Sequence, residues 1–115
     1  MRLEKLHPGF IVADAEYPSV IGSSGQLLLK FNSSHGEAIS VIFSGVPAYH
    51  WQEGESPVLS GEPWDGSCEL FESEWLSQHA PGKTINSHAG LRHLRFNFNA
   101  WGQLEVLCSG FTVVA

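Results

Sequence analysis

Apolar and polar residues alternate most cleanly toward the C-terminal end of the chain. From Arg92 to Phe98, one parity carries Leu94, Phe96 and Phe98, and the other carries His93, Arg95 and Asn97. Leu104, Val106 and Cys108 repeat the pattern after a break. A period of two predicts half-buried strands. The break, Asn99-Ala100-Trp101-Gly102-Gln103, suits a three-residue hairpin loop with Gly102 in the left-handed position, if Asn99 pairs with Gln103. That register sets Phe98 opposite Leu104, Phe96 opposite Val106 and Leu94 opposite Cys108. All six apolar residues then share one face, whereas a one-residue slip would mix the faces. Phe111 to Val114 predicts a further short strand.

The first half is also strand-like. Phe10 to Ala13 is a candidate strand. Gln26 to Asn32 alternates through Leu27, Leu29 and Phe31, and Glu37 to Phe43 through Ile39, Val41 and Phe43. The link Ser33-Ser34-His35-Gly36 has turn chemistry and joins these two runs as a hairpin. Gly22-Ser23-Ser24-Gly25 is a turn. From Gly45 to Gly66, prolines and glycines predict mostly loop, with one short strand near Val58-Leu59. Ser73 is a good N-cap for a helix from Glu74 to His79, stopped by Pro81-Gly82. A longer helix capped by Ser67 is the alternative, because Phe71 and Trp75 stand four apart. Lys83 to Gly90 is a polar loop. These elements predict a mainly β (α+β) fold in one domain spanning 1–115. The expected architecture is a single curved antiparallel sheet of about six strands built from hairpins, with one short helix on it.

Composition agrees with a folded domain: 43% of the 115 residues are hydrophobic and 11% aromatic, well above disordered chains. No segment approaches the length of a membrane span. MRLEKLHPGF has no apolar run that could serve as a signal peptide. Two cysteines are too few for a disulfide framework. The expected setting is the cytoplasm with reduced thiols, though one disulfide between Cys68 and Cys108 stays open.

Charge changes the picture more. Between Phe31 and Gly82 there is no lysine or arginine, yet eight carboxylates occur there: Glu37, Glu53, Glu55, Glu62, Asp65, Glu69, Glu72 and Glu74. The net charge is −6. A one-signed field attracts basic surfaces and repels nucleic acid and anionic membrane. Glu72 and Glu74 belong to the helix start and Glu37 to a strand edge. The distinctive remainder is Tyr49, Trp51, Glu53, Glu55, Glu62, Trp64 and Asp65, where aromatic anchors sit among acids in a proline-broken segment.

Catalytic and metal chemistry finds little support in the spacing. His88 and His93 are five apart, which fits neither one helix face nor one strand face, and no Cys-x-x-Cys occurs. The two histidine motifs of cupin barrels are absent. No Gly-x-Ser-x-Gly elbow appears, and Cys108 faces the expected core, where a thiol is inert. His93 is expected to be a hydrogen-bonded structural histidine. No metal, cofactor or catalytic residue is assigned. Two close carboxylates in a cleft, or a histidine paired to a serine, would mark a small hydrolase instead.

The last 40 or so residues resemble small bacterial immunity proteins of polymorphic toxin systems. The resemblance rests on Glu72-Ser73-Glu74-Trp75-Leu76, then His93-Leu94-Arg95-Phe96-Asn97-Phe98, then a polar turn and Glu105-Val106-Leu107-Cys108. It implies a non-enzymatic protein that neutralises a toxin by direct binding, often a basic nuclease domain. The expected function is therefore an acidic immunity-type binding protein that uses the seven residues above. The alternative is a small-ligand or carbohydrate-binding module, with Trp51 and Trp64 as stacking platforms.

Overall fold

The computed structural model describes residues 1–55, 57–79 and 90–114. The expected loop at Lys83–Gly90 and the Pro81-Gly82 stop lie outside the described residues, Gly90 excepted. The strands are β1 (Arg2–Lys5), β2 (Glu16–Ser23), β3 (Gln26–Asn32), β4 (Ala38–Ser44), β5 (Ala48–Glu53), β6 (Ser67–Phe71), β7 (Arg92–Asn97), β8 (Gly102–Cys108) and β9 (Gly110–Val114). Helix α1 (Glu74–His79) lies between β6 and β7.

The fold is mainly β, but the strands form two antiparallel sheets rather than one. A five-stranded sheet has the order β1-β6-β7-β8-β5, and a four-stranded sheet the order β2-β3-β4-β9. The apolar faces explain the division. Leu27, Leu29, Phe31, Val41 and Phe43 from one sheet are buried against Leu94, Phe96, Phe98, Leu104, Val106 and Cys108 from the other. Rings meet across the gap, Phe43 on Phe96 at 5.6 Å and Phe31 on Phe98 at 5.4 Å. Two sheets, each with one apolar face, bury both by stacking.

The chain changes sheets between β1 and β2, between β4 and β5, and between β8 and β9, and the last two changes meet at one corner. It leaves β4 through Gly45 and leaves β8 through Ser109, and Ser109 Oγ donates to Ser44 O at 3.1 Å. Gly45 has φ +59°, and a Cβ there would collide with the Ser109 hydroxyl. Glycine is required at this crossing by conformation and by space together.

The β3–β4 hairpin, the Ser24-Gly25 turn and the Ser73 cap agree with expectation. The β7–β8 hairpin keeps its expected faces in a different register. Asn97 pairs with Gln103, Phe96 with Leu104 and Leu94 with Val106. The three-residue loop is Asn99-Ala100-Trp101, closed by Phe98 N–H donating to Gly102 O and Trp101 N–H to Phe98 O, both at 2.9 Å. Asn99 takes the positive φ of 53°, which asparagine tolerates. A shift of two residues preserves every face, so alternation alone could not choose between the registers.

Other expectations are corrected. Phe10–Ala13 is not a strand: Phe10 stacks on Phe96 at 5.5 Å and Val12 is buried, so the segment plugs the sandwich. Ser67–Phe71 is strand β6, which removes the longer helix. The segment 45–66 contains strand β5, and Val58-Leu59 lies outside any strand. β2 is an edge strand with Pro18 inside it and a bulge between Glu16 and Ser19, a position proline tolerates because no ladder donor is needed. Both cysteines are buried free thiols. Cys108 lies in the core, whereas Cys68 pairs with Arg95 on the opposite face of the sheet.

Candidate functional site

The outer face of the five-stranded sheet carries His93, Arg95, Asn97, Gln103 and Glu105, yet nearly all of it is buried. Helix α1 and residues 57–66 cover it. Buried polar groups require partners, and these form one continuous chain. Gln103 Nε2 donates to Asn97 Oδ1 at 2.7 Å, and Asn97 Nδ2 to Glu62 Oε2 at 2.9 Å. Arg95 Nε lies 2.9 Å from the same oxygen, though its N–H is not aimed along that line. Arg95 then reaches toward Glu105 at 4.0 Å, and Glu105 Oε2 meets His93 Nε2 at 2.7 Å. His93 Nδ1 meets Ser73 Oγ at 2.7 Å, and Ser73 Oγ accepts the Leu76 N–H at 3.1 Å.

Within this chain the proton positions follow from the partners. A carboxylate only accepts, so His93 Nε2 carries the proton toward Glu105. In the neutral imidazole, Nδ1 then accepts the Ser73 hydroxyl proton. Burial pushes Glu105 up, but its His93 hydrogen bond and the Arg95 charge outweigh this and hold it below the usual 4.5. Burial, reinforced by the Glu62 charge, pushes the Cys68 thiol up to about 12. Burial alone is the leading cause that takes Cys108 to about 11.

The seven residues singled out from the sequence do not form one surface. Glu62 is not on the surface at all: its Oε1 accepts the Leu59 N–H at 2.7 Å and its Oε2 holds Arg95 and Asn97. Its role is to latch residues 57–66 onto the sheet. Trp51 is half-buried at the core edge, 6.1 Å from Phe98, and packs where a Cβ on Gly102 would stand. Tyr49 is exposed at the β5 edge. Glu53 and Glu55 are exposed, and Glu53 pairs with Gly102 beside Trp101.

Trp64 and Asp65 are exposed, and the fold gives Trp64 neighbours that are distant in sequence. A cleft of about 340 Å³ is lined by Asp14, Glu16, Trp64, Asn99 and Trp101, with no lysine or arginine among its described lining. Tyr17 lies against Trp101 at 5.2 Å. The three rings are open to solvent, Tyr17 by 64%, Trp64 by 45% and Trp101 by 43%. Tyr17 also holds φ +54°, a conformation costly for an aromatic residue, by about 1–2 kcal/mol. Tyr17 lies within the edge-strand bulge between Glu16 and Ser19. The acidic, aromatic rim at this end of the sandwich is therefore Asp14, Glu16, Tyr17, Glu53, Trp64, Asp65 and Trp101. The missed members were marked by the same signal used for 49–65, since Asp14-Ala15-Glu16-Tyr17-Pro18 places acids, an aromatic and a proline together.

Among the described residues, no group of three or more His, Cys, Asp or Glu is placed to hold a metal ion. No helix among them is long and apolar enough to cross a membrane. No family model, curated protein or solved structure matches the chain.

Proposed function

We propose that this chain is a non-enzymatic binding protein, of the kind that neutralises a cognate toxin in the cytoplasm by direct contact. One observation carries the proposal: three exposed rings, Tyr17, Trp64 and Trp101, gather with Asp14, Glu16, Glu53 and Asp65 at one end of a rigid sandwich. Large aromatic side chains anchor interfaces because they bury much area at little entropic cost. The surrounding carboxylates steer a basic partner and disfavour acidic ones. The partner is accordingly a basic protein, such as a toxin or nuclease domain.

The test is capture of the partner from the native cell, followed by expression of the captured protein with and without this chain. The expected result is toxicity that this chain relieves. Asp14→Lys, Glu16→Lys and Asp65→Lys combined should abolish relief while the fold stays intact. Unchanged relief would overturn the rim as the binding surface. A melting shift with sugars and none with any protein would favour the carbohydrate-binding alternative.

A second reading, a small hydrolase, is favoured by the Ser73–His93–Glu105 array, which has the composition of a nucleophile, a base and an orienting acid. Against it, Ser73 is only 3% exposed, its oxygen already accepts the Leu76 N–H, and five surface clefts of about 340–540 Å³ are lined by other residues. Covalent labelling of Ser73 by a fluorophosphonate would establish the hydrolase reading, and no labelling would remove its basis.

A further inference from the structure

The two sheets differ on their outer sides. The outer face of the five-stranded sheet is buried under α1 and residues 57–66, whereas every outward residue of the four-stranded sheet is exposed or half-buried. Register sets Ile21 beside Leu28, Leu28 beside Ile42 and Ile42 beside Thr112. Leu27, Leu29, Val41 and Phe43 lie in the core, so alternation turns this row of four away from it. Ile21 is 58% exposed and Ile42 36%, and Val114, in the next outward row, is 45% exposed. The solvated face of an antiparallel sheet ordinarily carries polar side chains at such positions. A contiguous aliphatic row across the strands marks a surface that something covers.

Charge selects the occupant. The chain has twelve acidic residues and a net charge of −6. Over residues 19–23, 26–30, 40–44 and 110–114 there is no acid, and Lys30 is the single charged side chain. Glu16 pairs with Asn32, one outward row beyond Lys30. A basic partner would find no carboxylate on these rows and would meet a lysine. Nucleic acid or an anionic membrane needs a cluster of bases. Between two copies the same neutrality is an advantage, because contact here brings no acids together, whereas contact through the rim would. The rows also complement themselves. A two-fold axis laid along the aliphatic row sets the Ile42 side chains of the two copies against each other, and likewise Leu28. Lys30 then faces Gln26 of the second copy rather than another lysine. Such a contact is isologous and closes at two copies.

We propose that the outer face of the four-stranded sheet is the contact between two copies of this chain, stacked through the row Ile21, Leu28 and Ile42. Four strands about 4.8 Å apart, each about five residues of about 3.4 Å, present about 300 Å² in plan. A standard interface buries about 800 Å² on each partner, so this dimer is weak and its population rises with concentration. The test is sedimentation equilibrium of the full chain from about 10 μM to about 1 mM.

The expected result is monomer at the low end and dimer at the high end. Ile42→Asp and Ile21→Asp, both at exposed positions where folding tolerates change, should each weaken association about tenfold or more. Salt should strengthen it by screening the repulsion between two chains of charge −6. Ile42→Cys, on the axis, should form a disulfide-linked dimer on oxidation. Ser23→Cys, one outward row off the axis, should not, and the native Cys68 and Cys108 are buried and stay silent. Asp65→Lys should abolish toxin relief and leave the dimer unchanged, so failure of the rim and failure of this contact are separable. The proposal is overturned by a monomer throughout the range, or by a dimer indifferent to both Ile42→Asp and Ile21→Asp. Loss of toxin relief in Ile42→Asp, with the parent chain monomeric on its own, would instead assign the face to the captured partner. Binding of the parent chain, but not of Ile42→Asp, to phosphatidylcholine vesicles would assign it to a lipid surface.

Discussion

Glu62 and Arg95 form an ion pair inside the protein, with Nε 2.9 Å from Oε2 and side chains exposed by only 0% and 10%, respectively. The pair joins residues 57–66 to the middle of the five-stranded sheet. A carboxylate from the base-free stretch is thereby consumed in folding rather than displayed.

Removing that carboxylate strands a buried guanidinium. Glu62→Ala should cost about 3–5 kcal/mol, whereas Asp65→Ala, three residues on and exposed, should change stability by less than about 0.5 kcal/mol. Urea unfolding of the two variants measures the contrast. Equal losses would contradict the latch.

Ser73 joins two structures with one oxygen, the start of α1 and the ring of His93. Ser73→Ala should lower stability by about 1–2 kcal/mol, typical of a lost N-cap, and speed amide exchange in α1. Ser73→Thr keeps the hydroxyl and should recover most of the loss. If threonine were no better than alanine, the hydroxyl would not be the reason for serine here.

Glu105 links stability to pH. Its carboxyl is held below the ordinary 4.5 in the folded protein, so unfolding in that interval takes up a proton. Its contribution is therefore complete above about 4.5 and is lost as pH falls through the folded value. Stability measured from pH 6 down to about 3 should fall less steeply in Glu105→Gln than in the parent chain. Parallel curves would show that Glu105 does not carry the effect.

Both thiols are buried, with values pushed to about 12 for Cys68 and about 11 for Cys108. The thiolate is the reactive form, so neither should react with a disulfide reagent at pH 8 in the folded state. Both should react once denaturant is added. Prompt labelling of either thiol in the native protein would contradict its burial.

Steering by the rim is electrostatic and screened by salt. Raising ionic strength from low to physiological values should slow association with the basic partner while changing dissociation little. Trp101→Ala should act in the opposite way, speeding dissociation, because it removes buried contact area. Surface plasmon resonance separates the two rates.

Local rules made much of the molecule legible in the chain. Alternation marked β3, β4, β7, β8 and β9, and the serine–acid pair Ser73-Glu74 marked the start of α1, because period and capping depend on neighbours within a few residues. β1, β2, β5 and β6 were not expected. Each is short or interrupted, as by Pro18 in β2, and is a strand because a partner lies alongside it. Phe10–Ala13 looked like a strand for the complementary reason: its apolar residues fill the end of a sandwich that local pattern cannot reveal.

The candidate site divides in the same way. The sequence by itself determined that acids and aromatics are concentrated without counterions, since composition and order are all that such an asymmetry needs. It also determined which faces of β7 and β8 are apolar. Only the tertiary structure decided which carboxylates reach solvent. Burial depends on what the other elements bring to the same place, so Glu62 went inward to Arg95 and Asn97, Trp51 to the edge of the core, and Asp14, Glu16 and Tyr17 to the side of Trp64 and Trp101. Register followed the same logic: alternation constrained it to steps of two, and the turn at Asn99, with Gly102 beneath Trp51, selected one.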